Sequence, residues 1–417
     1  MTLILGIESS CDETAAAVVE LVGGRPVVRS SVVATQHELH AEYRGVVPEI
    51  ASRAHLERVL PVMEKAVAEA GVSLGELGAV AIGNRPGLIG SLIVGASAGK
   101  ALAWALGLPV VGVDHVTAHL VAADLVEGRR AKDEGRSGEE KGERRRGNDE
   151  PVTRATGEHE DRESVGALER SSAVGEDRET SSFALRPSSF EPSFPRLGLV
   201  VSGGHTTLYR VEASGEIARL GGTIDDAVGE AFDKAAVILG LPYPGGPEID
   251  RLAQSGDPAA VRLPRSMLGK ESLDFSFSGL KTALLYAVRG KPVGKGKDAT
   301  FERDHTALSE QQRADLAASF QAAAVDALIV KLERAFARMR DDGAEPASIV
   351  IGGGVSANSR LRSQAEALGE RLGVAVRVPA MRYCVDNAAM IAAAAGPRVA
   401  AGDVDDLSLP VLATGSR

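Results

Sequence analysis

Cysteine is almost missing from this chain of 417 residues, which contains only Cys11 and Cys384. Two cysteines cannot build the disulfide framework of a small secreted protein, so a reducing compartment is the default and we expect a cytoplasmic protein. The N-terminus, MTLILGIESSCDE, has no basic segment ahead of its short apolar run, and it predicts no signal peptide. No window has the uninterrupted apolar length of a membrane span, and we therefore expect no membrane partner.

Aromatic residues and an excess of positive charge are also lacking. Aromatics make up 4% of the chain while hydrophobic residues make up 44%, a balance that fits tightly packed α/β layers. The 57 acidic residues outnumber the 47 Lys and Arg residues, for a net charge of −10. This argues against a protein that binds nucleic acid by itself through a broad basic surface, but it leaves local basic patches or a basic partner open.

Two segments share one pattern, in which an apolar strand ends in Ser, a polar turn follows and a second strand leaves. The first reads LILGIESS-CDET-AAAVVEL from residue 3, and the second reads LGLVVS-GGHT-TLYRV from residue 197. Each predicts a hairpin, and their repetition favours a duplicated two-lobe α/β architecture. Because hairpins are common in α/β proteins, two unrelated hairpins are the alternative.

Strand and helix patterns alternate along both halves of the chain. We predict a first lobe over residues 1–126, with the C-terminal helix of residues 388–417 packing back on it, and a second lobe over residues 195–387. A long amphipathic helix from Pro48 should end at Gly71, and Asp114 is placed to cap a helix that begins at His115.

Residues 127–194 differ in kind from their surroundings. The run EGRRAKDEGRSGEEKGERRRGNDE and its continuation are dense in both charges, Gly and Ser, with almost no apolar periodicity. Such a segment cannot bury enough surface to offset its ordering entropy, so it predicts a disordered insertion between the lobes.

The stretch DHVTAHL places His115 and His119 four residues apart, on one face of the predicted helix. Metalloproteases use this spacing in the pattern H-E-x-x-H, where the Glu is the general base. Here Val116 follows the first histidine and cannot take a proton. The pair is therefore either structural or it holds a metal for another reaction.

Asp386 precedes an Ala-rich helix in the stretch YCVDNAAM. One interpretation makes it the N-cap of that helix. The other makes it an oxygen ligand that joins His115 and His119, since two imidazoles and one carboxylate form a common catalytic metal set that suits Zn²⁺ or Fe²⁺.

Two glycine-rich turns could hold a nucleotide. IGGGVSANSRLR, residues 351–362, lies between a strand and a helix N-terminus, where backbone N–H groups and the helix dipole favour an anion. VSGGHT, residues 201–206, is the second. Neither matches the P-loop or the Rossmann fingerprint, and tight turns without a ligand are the alternative. The serines and Lys281 of DFSFSGLKTAL, residues 274–284, indicate no site by themselves.

Several stretches together resemble the TsaD family of tRNA N6-adenosine threonylcarbamoyltransferases, once classed as glycoproteases. They are GIESSCDETAAAVV, GVVPEIASRAH, HVTAHL, VVSGGHT, DDAVGEAFDKAAVILGLPYPGGPEID, DFSFSGLKTAL, GGGVSAN and DNAAMIA. The resemblance covers nearly the whole chain except the insertion. It implies the duplicated two-lobe, actin-like ATPase (ASKHA) fold, and transfer of a threonylcarbamoyl group from threonylcarbamoyl-AMP to N6 of adenosine 37 in tRNAs that read ANN codons.

The resemblance also implies a set of site residues and partners. It places a metal, Fe²⁺ with Zn²⁺ as the alternative, on His115, His119 and Asp386. It places acyl-adenylate binding on Val200, Val201, Ser202, Gly203, Gly204, Asp233, Gly246, Asp250 and Asn358. It places Asp12, Glu13 and His205 near the reacting centre. The implied partners are the tRNA anticodon loop, the TsaB paralogue and the TsaE ATPase, with a TsaC-type enzyme supplying the adenylate.

The same residues argue against three alternative functions. A metallopeptidase lacks its base at Val116. A sugar kinase or ATPase of the same fold would not need the set of two histidines and one aspartate. A non-catalytic scaffold of the pathway would have lost those ligands, whereas this chain retains all three.

Overall fold

The structure is a computed structural model that describes residues 2–43, 45–128, 193–265, 269, 271–294, 300–301 and 303–414. Most of the predicted insertion, residues 129–192, lies outside the described residues. At its predicted start, Glu127 belongs to a short strand. All described residues fall in one compact unit.

Eleven strands form two sheets in the described part of the chain. The first sheet contains β1 (Thr2–Glu8), β2 (Glu13–Val22), β3 (Arg25–Thr35), β4 (Leu77–Arg85), β5 (Val110–Asp114) and β6 (Val126–Glu127). The second contains β7 (Arg196–Val201), β8 (Thr206–Val211), β9 (Ile217–Gly222), β10 (Ser348–Gly352) and β11 (Ala375–Arg377).

The two sheets share the same strand order and the same directions over five strands, and the first sheet has β6 as a sixth. The first has the order β5-β4-β1-β2-β3-β6 and the second has the order β11-β10-β7-β8-β9. In each sheet, the first three strands in chain order form an antiparallel meander, β1-β2-β3 in the first sheet and β7-β8-β9 in the second. The next two strands then add in parallel on the other side of the first. Both predicted hairpins are therefore present, and each opens its own sheet.

Ten α-helices accompany these strands among the described residues: α1 (His37–His40), α2 (Pro48–Ala70), α3 (Ile89–Leu106), α4 (His115–Val121), α5 (Val228–Leu239), α6 (Gly245–Ala253), α7 (Ser278–Arg289), α8 (Glu310–Asp341), α9 (Ser359–Leu372) and α10 (Ala388–Ala401). The predicted end of α2 is confirmed, because Gly71 adopts a left-handed conformation (φ 68°) that closes the helix. The predicted capping of α4 by Asp114 is confirmed as well.

Helix α10 packs across the first sheet, mainly against β1 and β2. It comes so close to β1 that a Cβ at Gly6 would lie 2.2 Å from the carbonyl oxygen of Ala388. Small residues at this contact let helix and strand backbones approach each other. The loop that precedes α10 is thereby held beside the sheet edge where β1 and β5 end.

Helix α3 has the length and composition to cross a membrane, a test that core helices of soluble proteins also pass. It packs against β4 and α2, and a third of its residues (33%) are buried. Its remaining surface leaves large apolar side chains exposed, among them Ile89 and Ile93.

Candidate active site

The two histidines of the predicted pair lie on α4, at the carboxyl end of β5. The Asp114 carboxylate caps this helix by accepting hydrogen bonds from the backbone N–H groups of Val116 (3.0 Å) and Thr117 (3.2 Å). The cap fixes the first turn of α4 and so fixes where His115 points. The imidazole rings of His115 and His119 stand nearly perpendicular, with centroids 4.8 Å apart.

Asp386 converges on both imidazoles. Its Oδ1 lies 3.4 Å from His115 Nε2 and 3.2 Å from His119 Nε2. Capping of α10 falls instead to Asn387, whose side chain accepts from the Met390 N–H at 3.0 Å. The interpretation of Asp386 as the N-cap is therefore wrong, and its carboxylate is free to face the histidines.

Glu8, which sequence reasoning overlooked, holds His115 from the other side. Its Oε2 lies 3.0 Å from His115 Nδ1, and its Oε1 accepts from the Ser10 N–H at 2.5 Å. A carboxylate at Nδ1 favours the tautomer that leaves Nε2 free as a ligand atom. The signal in the sequence was a lone acid at the end of an otherwise apolar strand, a buried position that a carboxylate occupies only with a partner.

The charges around His115 favour a cation at this point. Burial by itself lowers the pKa of His115, but the negative charges of Glu8 and Asp386 outweigh it and hold the pKa well above its usual value. Burial raises the pKa of Asp386, yet the two histidines hold it well below its usual range. Burial lowers the pKa of His119, which stays neutral.

The residues present fit a divalent metal ion. The three ligand atoms of His115, His119 and Asp386 all lie within 4.8 Å of one another. Among the described residues, His119 Nδ1 has no hydrogen-bond partner, and Nε2 meets Asp386 Oδ1 at 3.2 Å without forming a well-aligned hydrogen bond, although the side chain is 1% exposed. A buried imidazole without a well-formed hydrogen bond is costly, and a metal ion at Nε2 would satisfy it. Asp386 is 20% exposed, which leaves one side of the set open.

A second group of polar side chains lies where β1 turns into β2. His37 Nε2 lies 3.2 Å from Glu13 Oε1 and 4.0 Å from Asp12 Oδ2. Burial raises the pKa of Glu13, the hydrogen bond with His37 lowers it, and the charges of Asp386 and Asp12 raise it again, to about 8. The ring of Tyr243 stands edge-on to His37, with centroids 6.2 Å apart. Helix α1 and the loop before α6 thus meet beside the two acids.

The glycine turn between β7 and β8 also approaches the histidines. His205 donates its N–H to Ser202 Oγ (3.1 Å) and accepts from the Ser202 N–H through its carbonyl (2.8 Å). Burial and the positive charge of His115 lower the pKa of the His205 side chain to about 4, so it is neutral at physiological pH. A Cβ at Gly203 or Gly204 would meet no atom within 4 Å, and the backbone of this turn is therefore accessible.

The second glycine loop packs directly on α4 and β7. A Cβ at Gly352 would lie 2.1 Å from the carbonyl oxygen of His119, and one at Gly353 would lie 2.4 Å from that of Val201. Only glycine allows these approaches. Val200 and Val201 are themselves fully buried in β7, backbone included, and expose no atom to a ligand.

The remaining predicted residues lie in the part of the chain that carries the second sheet. The Asp233 carboxylate accepts from the Gly245 N–H (2.8 Å), beside Gly246, and so fixes the start of α6. Asp250 on α6 lies 3.3 Å from the Asn358 amide and 2.7 Å from Ser359 Oγ. Asn358 in turn caps α9 by accepting from the Leu361 N–H at 3.0 Å. Asp233 thus links α5 to the start of α6, and Asp250 links α6 to the loop before α9; neither carboxylate joins the histidines.

Comparisons with known proteins identify the family. The sequence profile of TsaD, described as tRNA N6-adenosine threonylcarbamoyltransferase, matches residues 27–132 and 180–393. A relative from Pelobacter propionicus is 43% identical over 413 residues, which span 99% of this chain and 96% of that protein. Relatives from Sorangium cellulosum (44%, covering 97% and 94%) and Anaeromyxobacter dehalogenans (45%, covering 94% and 93%) carry the same name, tRNA N6-adenosine threonylcarbamoyltransferase.

Solved structures are similar in fold alone. Full-length HypF in a phosphate- and nucleotide-bound form is 11% identical with a TM-score of 0.51, covering 97% of this chain and 47% of that one. HypF from T. kodakarensis is 13% identical with a TM-score of 0.50, covering 96% and 47%. Fold and site thus define a mixed α/β protein with a set of two histidines and one aspartate that fits a divalent metal ion. The chain belongs to the TsaD family of tRNA N6-adenosine threonylcarbamoyltransferases.

Proposed function

We propose that this protein transfers the threonylcarbamoyl group of threonylcarbamoyl-AMP to N6 of adenosine 37 in tRNAs that read ANN codons. In this reaction a bond forms between N6 and the carbamoyl carbon, the bond from that carbon to the phosphate oxygen breaks, AMP leaves, and N6 loses one proton. The observation that carries the proposal is the convergence of His115, His119 and Asp386 beside the accessible glycine turn of Gly203 and Gly204.

His115, His119 and Asp386 would hold one divalent ion per subunit, Fe²⁺ with Zn²⁺ as the alternative. When bound, it supplies Lewis-acid stabilisation of charge that develops on the acyl group. Glu8 orients the first imidazole through Nδ1, and Asp114 fixes the helix that carries both histidines. No water needs activation in an acyl transfer to N6, which explains why Val116 can stand where a metalloprotease has its base.

The acyl-adenylate would lie along the turn Ser202–Gly204 and the loop before α9. The open backbone at Gly203, Gly204 and Gly246 supports this, because N–H groups without a neighbouring side chain can reach a phosphate or ribose oxygen. Asp233 and Asp250 already order the start of α6 and the Asn358 loop. Their role for the nucleotide is to hold these backbones in place and to offer the carboxylate oxygens that remain.

Glu13 would take the proton that N6 loses. Its raised pKa makes it a stronger base than an ordinary carboxylate, close to the optimum for proton transfer near neutral pH. Asp12 lies beside it and helps to raise that pKa. The lowered pKa of His205 keeps its imidazole neutral, so it would serve as a hydrogen-bonding group for the acyl donor rather than as an acid.

The shared strand order of the two sheets supports the duplicated, actin-like two-lobe architecture. We assign the first lobe to residues 1–126 together with residues 388–417, of which the helix α10 ends at Ala401 and not at the predicted residue 417, and the second lobe to residues 195–387, with residues 127–194 as an insertion. We expect the enzyme to work in the cytoplasm. We also expect it to work with TsaB and TsaE, because a protein with a net charge of −10 needs a partner surface to bind tRNA.

The TsaB paralogue would dock on the outer faces of α2 and α3. Leu56 and Leu60 are 66% and 59% exposed on α2, and Ile89 and Ile93 are 48% and 49% exposed on α3. Residues four apart share one helix face, and the two helices pack together where Ser52 meets Gly90. An exposed apolar face of this kind marks a protein interface.

The first test is transfer of labelled threonine to tRNA. The purified chain is supplied with TsaB, TsaE, a TsaC-type synthase, threonine, bicarbonate, ATP and an ANN-decoding tRNA, and wild type is run beside His115→Ala. His305→Ala, which removes a histidine outside the cluster, is the matched control. We expect label on adenosine 37 with wild type and the control, and none with His115→Ala. Label with all three proteins would mean that the histidines have only a structural role. No label with any of them, in an assay where a known family member is active, would refute the proposed transferase activity.

A further inference from the structure

His55 is a fully buried histidine on α2 that none of the proposed steps uses. Its Nε2 lies 3.0 Å from the carbonyl oxygen of Cys11, and its Nδ1 lies 2.8 Å from Thr14 Oγ1. Cys11 and Thr14 flank the acidic pair Asp12–Glu13. One imidazole therefore bonds to the residues on both sides of the dipeptide that faces His115, His119 and Asp386.

The partners of His55 determine its tautomer. A carbonyl oxygen can only accept, so Nε2 carries the proton and donates to Cys11. In a neutral ring Nδ1 is then an acceptor, and the Thr14 hydroxyl donates to it, with the Gln36 amide approaching at 3.4 Å. Burial lowers the pKa of His55, while the bond to Cys11 raises it; the net lowering keeps the ring neutral. The backbone N–H of Gln36 adds a third hold by donating to the Asp12 carbonyl at 3.1 Å.

We propose that His55 is a positioning residue of the transfer reaction: it clamps Cys11 and Thr14 so that the Asp12 and Glu13 side chains are held toward the reacting centre. The inference rests on the proposed function. It follows from the geometry because an imidazole is rigid, and its two nitrogens bond at opposite ends of the same turn. Loss of either bond would let the turn relax while the ligands His115, His119 and Asp386, which lie on other segments, stay in place.

The test separates the two bonds of the ring in the full-length protein with its partners. His55→Gln can keep a donor near the Nε2 position, and His55→Asn can keep an acceptor near the Nδ1 position. Thr14→Val removes the hydroxyl with little change of shape, and Thr14→Ser retains it. His40→Asn, at another fully buried histidine, which accepts from the Val47 N–H, is the control for lost stability.

We expect His55→Asn, His55→Gln and Thr14→Val to lower kcat by roughly tenfold to a hundredfold, the cost of a small misplacement of a reacting group. KM for threonylcarbamoyl-AMP and the affinity for Zn²⁺ should stay within about twofold of wild type, because the residues that bind the adenylate and the metal lie on other segments of the chain. Thr14→Ser should recover most of the rate. Backbone amide exchange of residues 11–14 should become faster in the His55 variants.

Two results would overturn the inference: a wild-type kcat in both His55 variants, or an equal loss of kcat in His40→Asn, which would mean general destabilisation. If wild type itself transfers nothing, the proposed function fails separately. The exchange measurement then still decides the clamp, since unchanged exchange at residues 11–14 would refute it.

Discussion

Replacing Glu8 by Gln should weaken the metal site while leaving the first sheet folded. The two carboxylate oxygens have different tasks, one toward His115 Nδ1 at 3.0 Å and one toward the Ser10 N–H at 2.5 Å. Glutamine has one oxygen and cannot serve both. The side chain cannot shift away easily, because Gly83 leaves so little room that a Cβ there would lie 2.6 Å from Glu8 Oε2.

The magnitude follows from either orientation of the new amide. If its oxygen faces His115, its NH₂ group faces the Ser10 N–H, and the buried donors left unsatisfied cost about 1–3 kcal/mol. If its NH₂ group faces His115, Nδ1 must become the acceptor, and the proton moves to Nε2, the atom that should bind the metal. Loss of such an orienting carboxylate typically lowers metal affinity by about 10–100-fold.

The assay is a Zn²⁺ titration of the purified protein against a chromophoric chelator, combined with thermal unfolding. Glu20→Gln is the matched control, since Glu20 is a similarly buried carboxylate of the same sheet that pairs with Arg29 at 2.9 Å. We expect weaker binding in Glu8→Gln alone. Wild-type affinity in a folded Glu8→Gln protein would refute the role given to this carboxylate, and an equal loss in the control would show that burial, not orientation, is responsible.

Two further predictions concern pH and partner binding. The Glu13 carboxyl, with its pKa raised to about 8, holds its proton below that pH, so the transfer rate of wild type should rise with pH and level off above the pKa. A cation beside Asp386 favours the ionised form of Glu13 and should move the inflection of the rate profile to lower pH. Glu13→Gln should abolish the inflection. A flat wild-type profile would contradict the role of Glu13 as the base. Leu56→Asp with Leu60→Asp should abolish co-purification with TsaB without unfolding the chain, while Ile224→Asp, at an equally exposed position (65%), should not; retained binding in the double variant would exclude this face.

Local patterns were enough to predict the elements that position the site. The two hairpins, the end of α2 at Gly71 and the capping of α4 by Asp114 all follow from residues close together in the chain. Each is decided by short-range physics: alternation of apolar side chains, the left-handed conformation that glycine adopts freely, and a carboxylate that accepts from the first free N–H groups of a helix. The family resemblance rests on the same short motifs.

The roles of three residues, Asp386, Glu8 and His55, depend on the fold and could not be assigned from sequence patterns. The sequence offered Asp386 as a cap or as a ligand, and only the packing of α10 on the first sheet turned it toward α4 while Asn387 took the cap. Glu8 and His55 lie in two of the stretches that carry the family resemblance, but those stretches gave them no role, because the carboxylate and the imidazole act through partners that the fold brings from other elements.

The sequence by itself determined the α/β alternation, the repeated hairpin and the spacing of His115 and His119, since these depend on neighbours a few residues apart. Tertiary structure alone decided which polar side chains face one another. Burial removes water as a partner, so each charged or hydrogen-bonding group must be satisfied by whatever the fold places within about 3 Å. That is why the carboxylate of β1 and the aspartate before α10 meet at the histidines of α4, and why the imidazole of α2 bonds to the turn after β1.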